Sequence, residues 1–327
     1  MGDFLVVGEC VADIVRADGR EDVPHPGGSP ANVAYGLARL GRGTVLLTQL
    51  GGDPAGALIG AHLRSAGVEL LGDLGADAVT PTAVVTLDGQ GQASYAFDVR
   101  WTLRTAGPLP GGIRHVHLGS IGAVTEPGAA TVREVVARLR TTATVSYDPN
   151  VRPALLGSHG EAVARVEACV ALSDLVKASD EDLAWLCPGE PPREVAERWL
   201  TLGPAAVVVT FGGAGSTAYT AAGELHGAPV RAEVADTVGA GDSFMAAALD
   251  ALAGLDLLGA AARPRLAALD QASLAAVLHR AATAAALTVS RPGANPPDLA
   301  ELRAALRRAG RQPCPAPAES SENSSHW

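Results

Sequence analysis

Residues 236–244 read Asp236-Thr237-Val238-Gly239-Ala240-Gly241-Asp242-Ser243-Phe244 and lead into an apolar, Ala-rich run of helical period. Small residues let the backbone turn sharply and let a ligand approach it closely, while the first amides of the following helix have no intrahelical partner. Together these features make a cradle for an anion. A carboxylate at its mouth, Asp242, would repel an anion, so its placement points to work on a neighbouring hydroxyl. The same residues also suit an ordinary helix start, because an acid in the first turn offsets the helix dipole and Gly-Ala-Gly is a common loop. On its own the stretch leaves the two readings level.

Around this turn, short Val- and Leu-rich runs alternate with longer Ala/Leu/Arg segments of helical period. Strands are predicted at 5–8, 45–50, 116–119, 144–147, 175–177 and 207–211, and helices at 31–40, 56–66, 128–139, 162–172, 180–186, 192–202, 243–253, 274–288 and 297–309. This is the α/β pattern of a central, mostly parallel sheet flanked by helices. One segment breaks the rhythm: 82–87 and 92–99 alternate polar and apolar residues around Asp88-Gly89, a hairpin signal, and put Tyr95, Phe97 and Val99 on one face. With the extended, Pro-rich stretch 14–26 it predicts a small second sheet, covering a substrate cleft, the core or another subunit. Residues 312–327 mix Pro, Ser, Glu and Asn without periodicity and are expected to be a disordered tail, leaving 1–311 as one domain.

Composition narrows the function. The chain has 327 residues, 47% of them hydrophobic, enough for a sizeable core. A net charge of −10 argues against nucleic acid or an anionic membrane as partner. No uninterrupted apolar run is long enough to span a bilayer, and Met1-Gly2-Asp3 passes at once into strand-like Phe4-Leu5-Val6-Val7, so the default expectation is a cytoplasmic protein. Cys10, Cys169, Cys187 and Cys314 are dispersed, without zinc spacing or a disulfide pattern. Lys177 is the sole lysine, which excludes a Walker A loop and the strand lysine of a protein kinase.

A second glycine-rich segment, Gly27-Gly28-Ser29-Pro30-Ala31-Asn32, precedes a helical run and puts Asn32 in its first turn. The pairing of GGSPANVAYGLARLG at 27–41 with DTVGAGDSFMAA at 236–247 resembles the two signatures of the ribokinase-like (PfkB) carbohydrate kinase family. Further matches follow in the family's order: Gly8…Asp13, Gly51-Gly52-Asp53-Pro54-Ala55-Gly56, Asp148-Pro149-Asn150-Val151-Arg152-Pro153, the stretch around Lys177-Ala178-Ser179-Asp180, Thr210-Phe211-Gly212-Gly213-Ala214-Gly215 and Arg291-Pro292-Gly293-Ala294. The resemblance covers about residues 3–306. It implies a ribokinase-like fold with a small β-sheet lid, and transfer of the γ-phosphate of ATP to a sugar hydroxyl.

The roles that the resemblance implies make physical sense. Asp242 matches the catalytic base that takes the hydroxyl proton, and Gly239, Ala240 and Gly241 match an anion hole of backbone amides for the transferring phosphoryl group. No lysine is expected there, with Lys177 placed elsewhere at a strand end. Asp13, Gly28 and Asn32 match sugar-holding positions, and Arg152 resembles the arginine beside the sugar or phosphate in fructokinase-like members. Phe97 and Trp101, in the hairpin excursion, are aromatics that either close over a sugar ring or pin the lid. His115, His117, Trp185 and Trp199 are expected to be packing residues.

On the nucleotide side, Thr210, Gly212, Gly213 and Gly215 match the loop bordering ATP, and 275–288 with 292–295, including Asn295, the adenine wall. Where many members carry Asn-x-x-Glu to organise the water shell of Mg²⁺, this chain has Ser179-Asp180-Glu181-Asp182, so Asp182 is expected to reach the ion through water. Asp236, with carbonyls near Val238, Thr288, Arg291 and Gly293, resembles the family's monovalent-cation loop, which suits K⁺.

Fructose is the first expectation for the acceptor, with 2-keto-3-deoxygluconate, ribose or a nucleoside as alternatives, and a homodimer through the lid as a partner expectation. A non-catalytic nucleotide- or sugar-binding regulator on the same fold is the rival from another class, disfavoured by the intact Asp242 turn. A nicotinamide dehydrogenase is disfavoured because Gly8-Glu9-Cys10-Val11-Ala12-Asp13 lacks the G-x-G-x-x-G spacing.

Overall fold

The structure, a computed structural model, describes residues 2–17, 22–87, 93–104 and 108–309. In chain order the strands are β1 (Phe4–Val7), β2 (Val11–Ala17), β3 (Val23–Gly27), β4 (Thr44–Gly51), β5 (Glu69–Gly75), β6 (Thr82–Leu87), β7 (Ala93–Asp98), β8 (His115–Gly119), β9 (Thr144–Asp148), β10 (Leu175–Ser179), β11 (Ala206–Thr210), β12 (Ser216–Thr220) and β13 (Gly223–Gly227). The helices are α1 (Ser29–Arg39), α2 (Pro54–Ser65), α3 (Gly128–Leu139), α4 (His159–Leu172), α5 (Asp180–Leu186), α6 (Pro192–Leu200), α7 (Ala240–Gly254), α8 (Arg263–Ala267), α9 (Gln271–Val289) and α10 (Leu299–Ala309).

Among the described residues one sheet has nine strands in the order β13-β12-β11-β10-β9-β8-β1-β4-β5. Its strands from β11 to β5 run parallel, and β12 and β13 add an antiparallel edge. Period-2 alternation divides the core in two. Leu5, Val7, Leu118, Tyr147, Val176 and Val209 face α3 to α6, while Phe4, Val6, Leu46, Leu175 and Val208 face α1, α2, α7 and α9. α9 has the length and hydropathy of a membrane span, yet it packs on α7, and Val277, Leu278, Ala281 and Ala284 are buried.

The excursion forms a separate four-stranded sheet, β3-β2-β6-β7, with β2 parallel to β6 and antiparallel to β3. The Asp88-Gly89 tip, the Tyr95 side chain and the 312–327 tail with Cys314 lie outside the described residues.

Candidate active site

A cavity of about 630 Å³ opens past the C-terminal ends of β1, β8, β9 and β10, where parallel sheets expose their loops. The small sheet contributes Val11, Asp13, Ala83 and Phe97 to its wall, and the first turns of α1 and α7 contribute Gly28, Ser29 and Asn32 from one side and Gly239, Ala240, Gly241 and Asp242 from the other. Ten sequence-predicted positions thus meet in one place: Asp13, Gly28, Asn32, Phe97, Arg152, Asp182, Gly239, Ala240, Gly241 and Asp242.

The predicted cradle is the start of α7. Gly239, at φ 75, sits in the left-handed region, and a Cβ there would come 2.7 Å from the Cβ of Ala294. Ala240 N–H bonds Thr237 O at 3.3 Å and Ser243 N–H closes the first full turn onto Gly239 O at 2.8 Å, so the amides of Gly241 and Asp242 between them are the ones the helix start leaves for a ligand. Gly28, at φ 97, is glycine for a similar reason: a Cβ would stand 2.6 Å from Glu9 O.

Asp242 is buried and held at both oxygens. Ser29 Oγ donates to Oδ1 at 2.6 Å and Asn32 Nδ2 donates to Oδ2 at 2.8 Å. Asn32, expected to address the sugar, here holds the carboxylate. Ser29 was not among the predicted residues. Its partner lies 213 positions away in sequence, and only the packing of α1 on α7 brings the two together.

The expectation for Lys177 is overturned. Alternation along three adjacent strands puts His115 and His117 of β8, Thr144, Ser146 and Asp148 of β9, and Lys177 of β10 on the sheet face toward α1 and α7. The first four join through Ser146 Oγ, which meets His115 Nε2 at 2.8 Å and His117 Nδ1 at 2.9 Å, and through Thr144 Oγ1, 2.9 Å from His115 Nδ1. Burial drives the His115 pKa down to about 3, so that ring is neutral, in keeping with its structural role. At the cavity end of this polar stripe Lys177 Nζ bonds Asp148 Oδ2 at 2.7 Å, with both side chains nearly inaccessible. A Cβ on Gly241 would lie 3.3 Å from Nζ, so the sole lysine borders the anion cradle. Burial opposes its charge, but Asp148, with Asp182 and Asp242 behind it, outweighs burial and holds the ammonium above its ordinary range.

The opposite wall is acidic and polar. Glu9, buried, accepts Gly122 N–H at 2.8 Å, and burial lifts its carboxyl to about 7. Asp13 is raised to about 6 by burial, partly offset by Arg152 and His25. Arg152 Nη1 donates to Val151 O at 2.9 Å, so its own loop aims it toward these acids. Phe97 lines the cavity, while Trp101 is 1% exposed and packs against Gly128, which makes it a pin for the lid. Trp185, expected to be packing only, also borders the cavity, edge-on to His159.

Asp182 does line the cavity, but both its oxygens accept backbone amides: Oδ1 from Val151 at 2.7 Å and Oδ2 from Ser179 at 2.8 Å. It closes a capping box with Ser179 and ties the loop after β9 to the start of α5. Thr210, Gly212, Gly213, Gly215, Asn295 and Asp236 lie outside this cavity. Thr210 ends β11, and Gly212 and Gly213 are exposed in the turn beyond it. Gly215, at φ 100, packs against the chain at Gly227. Asn295 is exposed and its amide bonds Gly293 O at 2.8 Å. Asp236 accepts the amides of Val238 at 3.0 Å and Gly293 at 2.8 Å, which hold its carboxyl below the usual range and fasten the 293–295 loop beside α7.

The sequence matches the pfkB family carbohydrate kinase profile over residues 1–301. It is 32% identical over 281 residues to a fructokinase of Rhizobium leguminosarum bv. trifolii, covering 83% of this chain and 85% of that protein. The structure is similar to fructokinase with bound ATP from Xylella fastidiosa, with a TM-score of 0.84, 26% identity, and 95% and 100% of the two chains covered. It is also similar to aminoimidazole riboside kinase from Salmonella enterica, with a TM-score of 0.76, 26% identity, and 93% and 99% covered. The chain belongs to the pfkB family of carbohydrate kinases and is a kinase that transfers the γ-phosphate of ATP to a sugar hydroxyl.

Proposed function

We propose that the acceptor is fructose and that Asp242 is the base that activates its hydroxyl. The observation that carries this reading is a carboxylate fixed at a helix N-terminus, in a cavity whose far wall sets Asp13 beside Arg152. A polyol offers hydroxyls that donate and accept at once, and an acid with an arginine answers both. The sugar stands between that wall and Asp242, with Phe97 over it. As the bond to phosphorus forms, the hydroxyl proton passes to Asp242 and ADP leaves on the opposite side of the transferred group.

The charge that grows on the phosphoryl oxygens meets the amides of Gly241 and Asp242 at the α7 start and the Lys177 ammonium. The nucleotide runs from this point past 210–215 toward 293–295, outside the cavity proper. Mg²⁺, which neutralises charge on the phosphates when bound, suits a site of this kind. Among the described residues no group of three or more His, Cys, Asp or Glu gathers to ligate a metal directly, and Asp182, each of whose oxygens already accepts one backbone amide, suits a bridging water. The Asp236 turn, rich in backbone carbonyls, is the position for K⁺.

The likeness to aminoimidazole riboside kinase supports a riboside as the second acceptor class. ADP release measured with fructose, ribose, 2-keto-3-deoxygluconate and aminoimidazole riboside separates them. Fructose giving the highest kcat/KM is the expected result. A silent fructose reaction beside a fast riboside reaction overturns the acceptor while leaving the kinase in place.

A further inference from the structure

Ser29 is the first residue of α1, after a glycine N-cap that has no side chain to offer the helix start. The Ser29 hydroxyl donates to Asp242 Oδ1 at 2.6 Å, with both residues buried. That is the length of a charge-assisted O–H···O⁻ bond. The bond is not required to join α1 to α7. Those helices already meet so closely that a Cβ on Gly36 would stand 2.9 Å from the Cβ of Ala246, and Val33 and Leu37 of α1 are buried in the same cluster as Phe244 and Met245 of α7.

We propose that Ser29 is a positioning residue for phosphoryl transfer: with Asn32 it fixes the plane of the Asp242 carboxylate, so that the remaining lone pairs face the acceptor hydroxyl. This rests on the reading of Asp242 as the base. A carboxylate held by one donor can rotate about its Cβ–Cγ bond, whereas two donors three positions apart on one helix turn lock it.

The test is kcat and KM for the unmodified enzyme, Ser29→Ala and Ser29→Thr, with thermal melts to establish folding. For Ser29→Ala, kcat falls about tenfold while KM for the sugar stays within about twofold, because the carboxylate loses one of its two holding donors. Ser29→Thr, which keeps the hydroxyl, restores kcat. A folded Ser29→Ala enzyme with unchanged kcat overturns the role of Ser29 alone. An unmodified protein that releases no ADP with any sugar overturns the reading of Asp242 as well.

Discussion

At Lys177 burial and charge oppose each other. An isolated ammonium in that position would be strongly disfavoured, and Asp148 at 2.7 Å is what keeps it charged. Lys177→Met should therefore destabilise the fold by about 3 kcal/mol, since it leaves the Asp148 carboxylate buried without its partner. Adding Asp148→Asn should return most of that stability. Turnover should stay at least about tenfold down in the double variant, because the charge beside the anion cradle is still missing. Urea midpoints and ADP release on the two variants measure both effects. Recovery of turnover along with stability would assign the pair a structural role only.

Among the elements, the turn after β1 and the turn after β8 are joined by one carboxyl. Glu9 accepts the amide of Gly122, and a Cβ on that glycine would lie 2.7 Å from the carboxyl, so the fit is close. Burial raises the Glu9 pKa from 4.5 to about 7. Between those values the native state keeps a proton that the unfolded chain releases, so this group makes stability fall as pH rises through that window and has no further effect above it. Glu9→Gln keeps the shape and acceptor but does not titrate. It should gain about 2 kcal/mol over the unmodified protein at pH 8 and nothing at pH 4. Denaturant midpoints at the two pH values decide it, and a difference that ignores pH would contradict the assignment.

Legibility in the sequence differed from element to element for identifiable reasons. β1, β4, β8, β9, β10 and β11 are buried on both faces and stand out as short apolar runs. β5 and β13 are edge strands with exposed or half-buried residues, and Glu69-Leu70-Leu71-Gly72 has no clean alternation, so neither was predicted. β12, next to that edge, was also missed, and α8 is a single five-residue turn. The glycine turns and Asp242 were legible because their chemistry is local. The polar stripe from His115 to Lys177 was not, since its members sit on three strands and share a face only once the parallel register is known. The signal available was the spacing of polar residues two apart within apolar strands, at Thr144, Ser146 and Asp148.

For the molecule as a whole, strand order does the assembling. β8 and β9 stand side by side between β1 and β10, so loops from residues 8–13, 119–123, 148–153 and 179–182 meet at one end of the sheet. α1 and α7 pack together on one face and bring residues 28–32 against 239–242, joining segments from distant parts of the chain. The small sheet closes the remaining side with Asp13 and Phe97. In a chain of net charge −10 this arrangement sets the sole lysine, paired with Asp148, beside the α7 start. Phosphoryl transfer at this point depends on Asp242 taking the hydroxyl proton. ADP release by Asp242→Asn under saturating ATP and sugar tests this most directly: kcat should fall by about a thousandfold, with the melting temperature and ATP binding retained. Turnover at the unmodified rate in a folded, ATP-binding Asp242→Asn protein would contradict it.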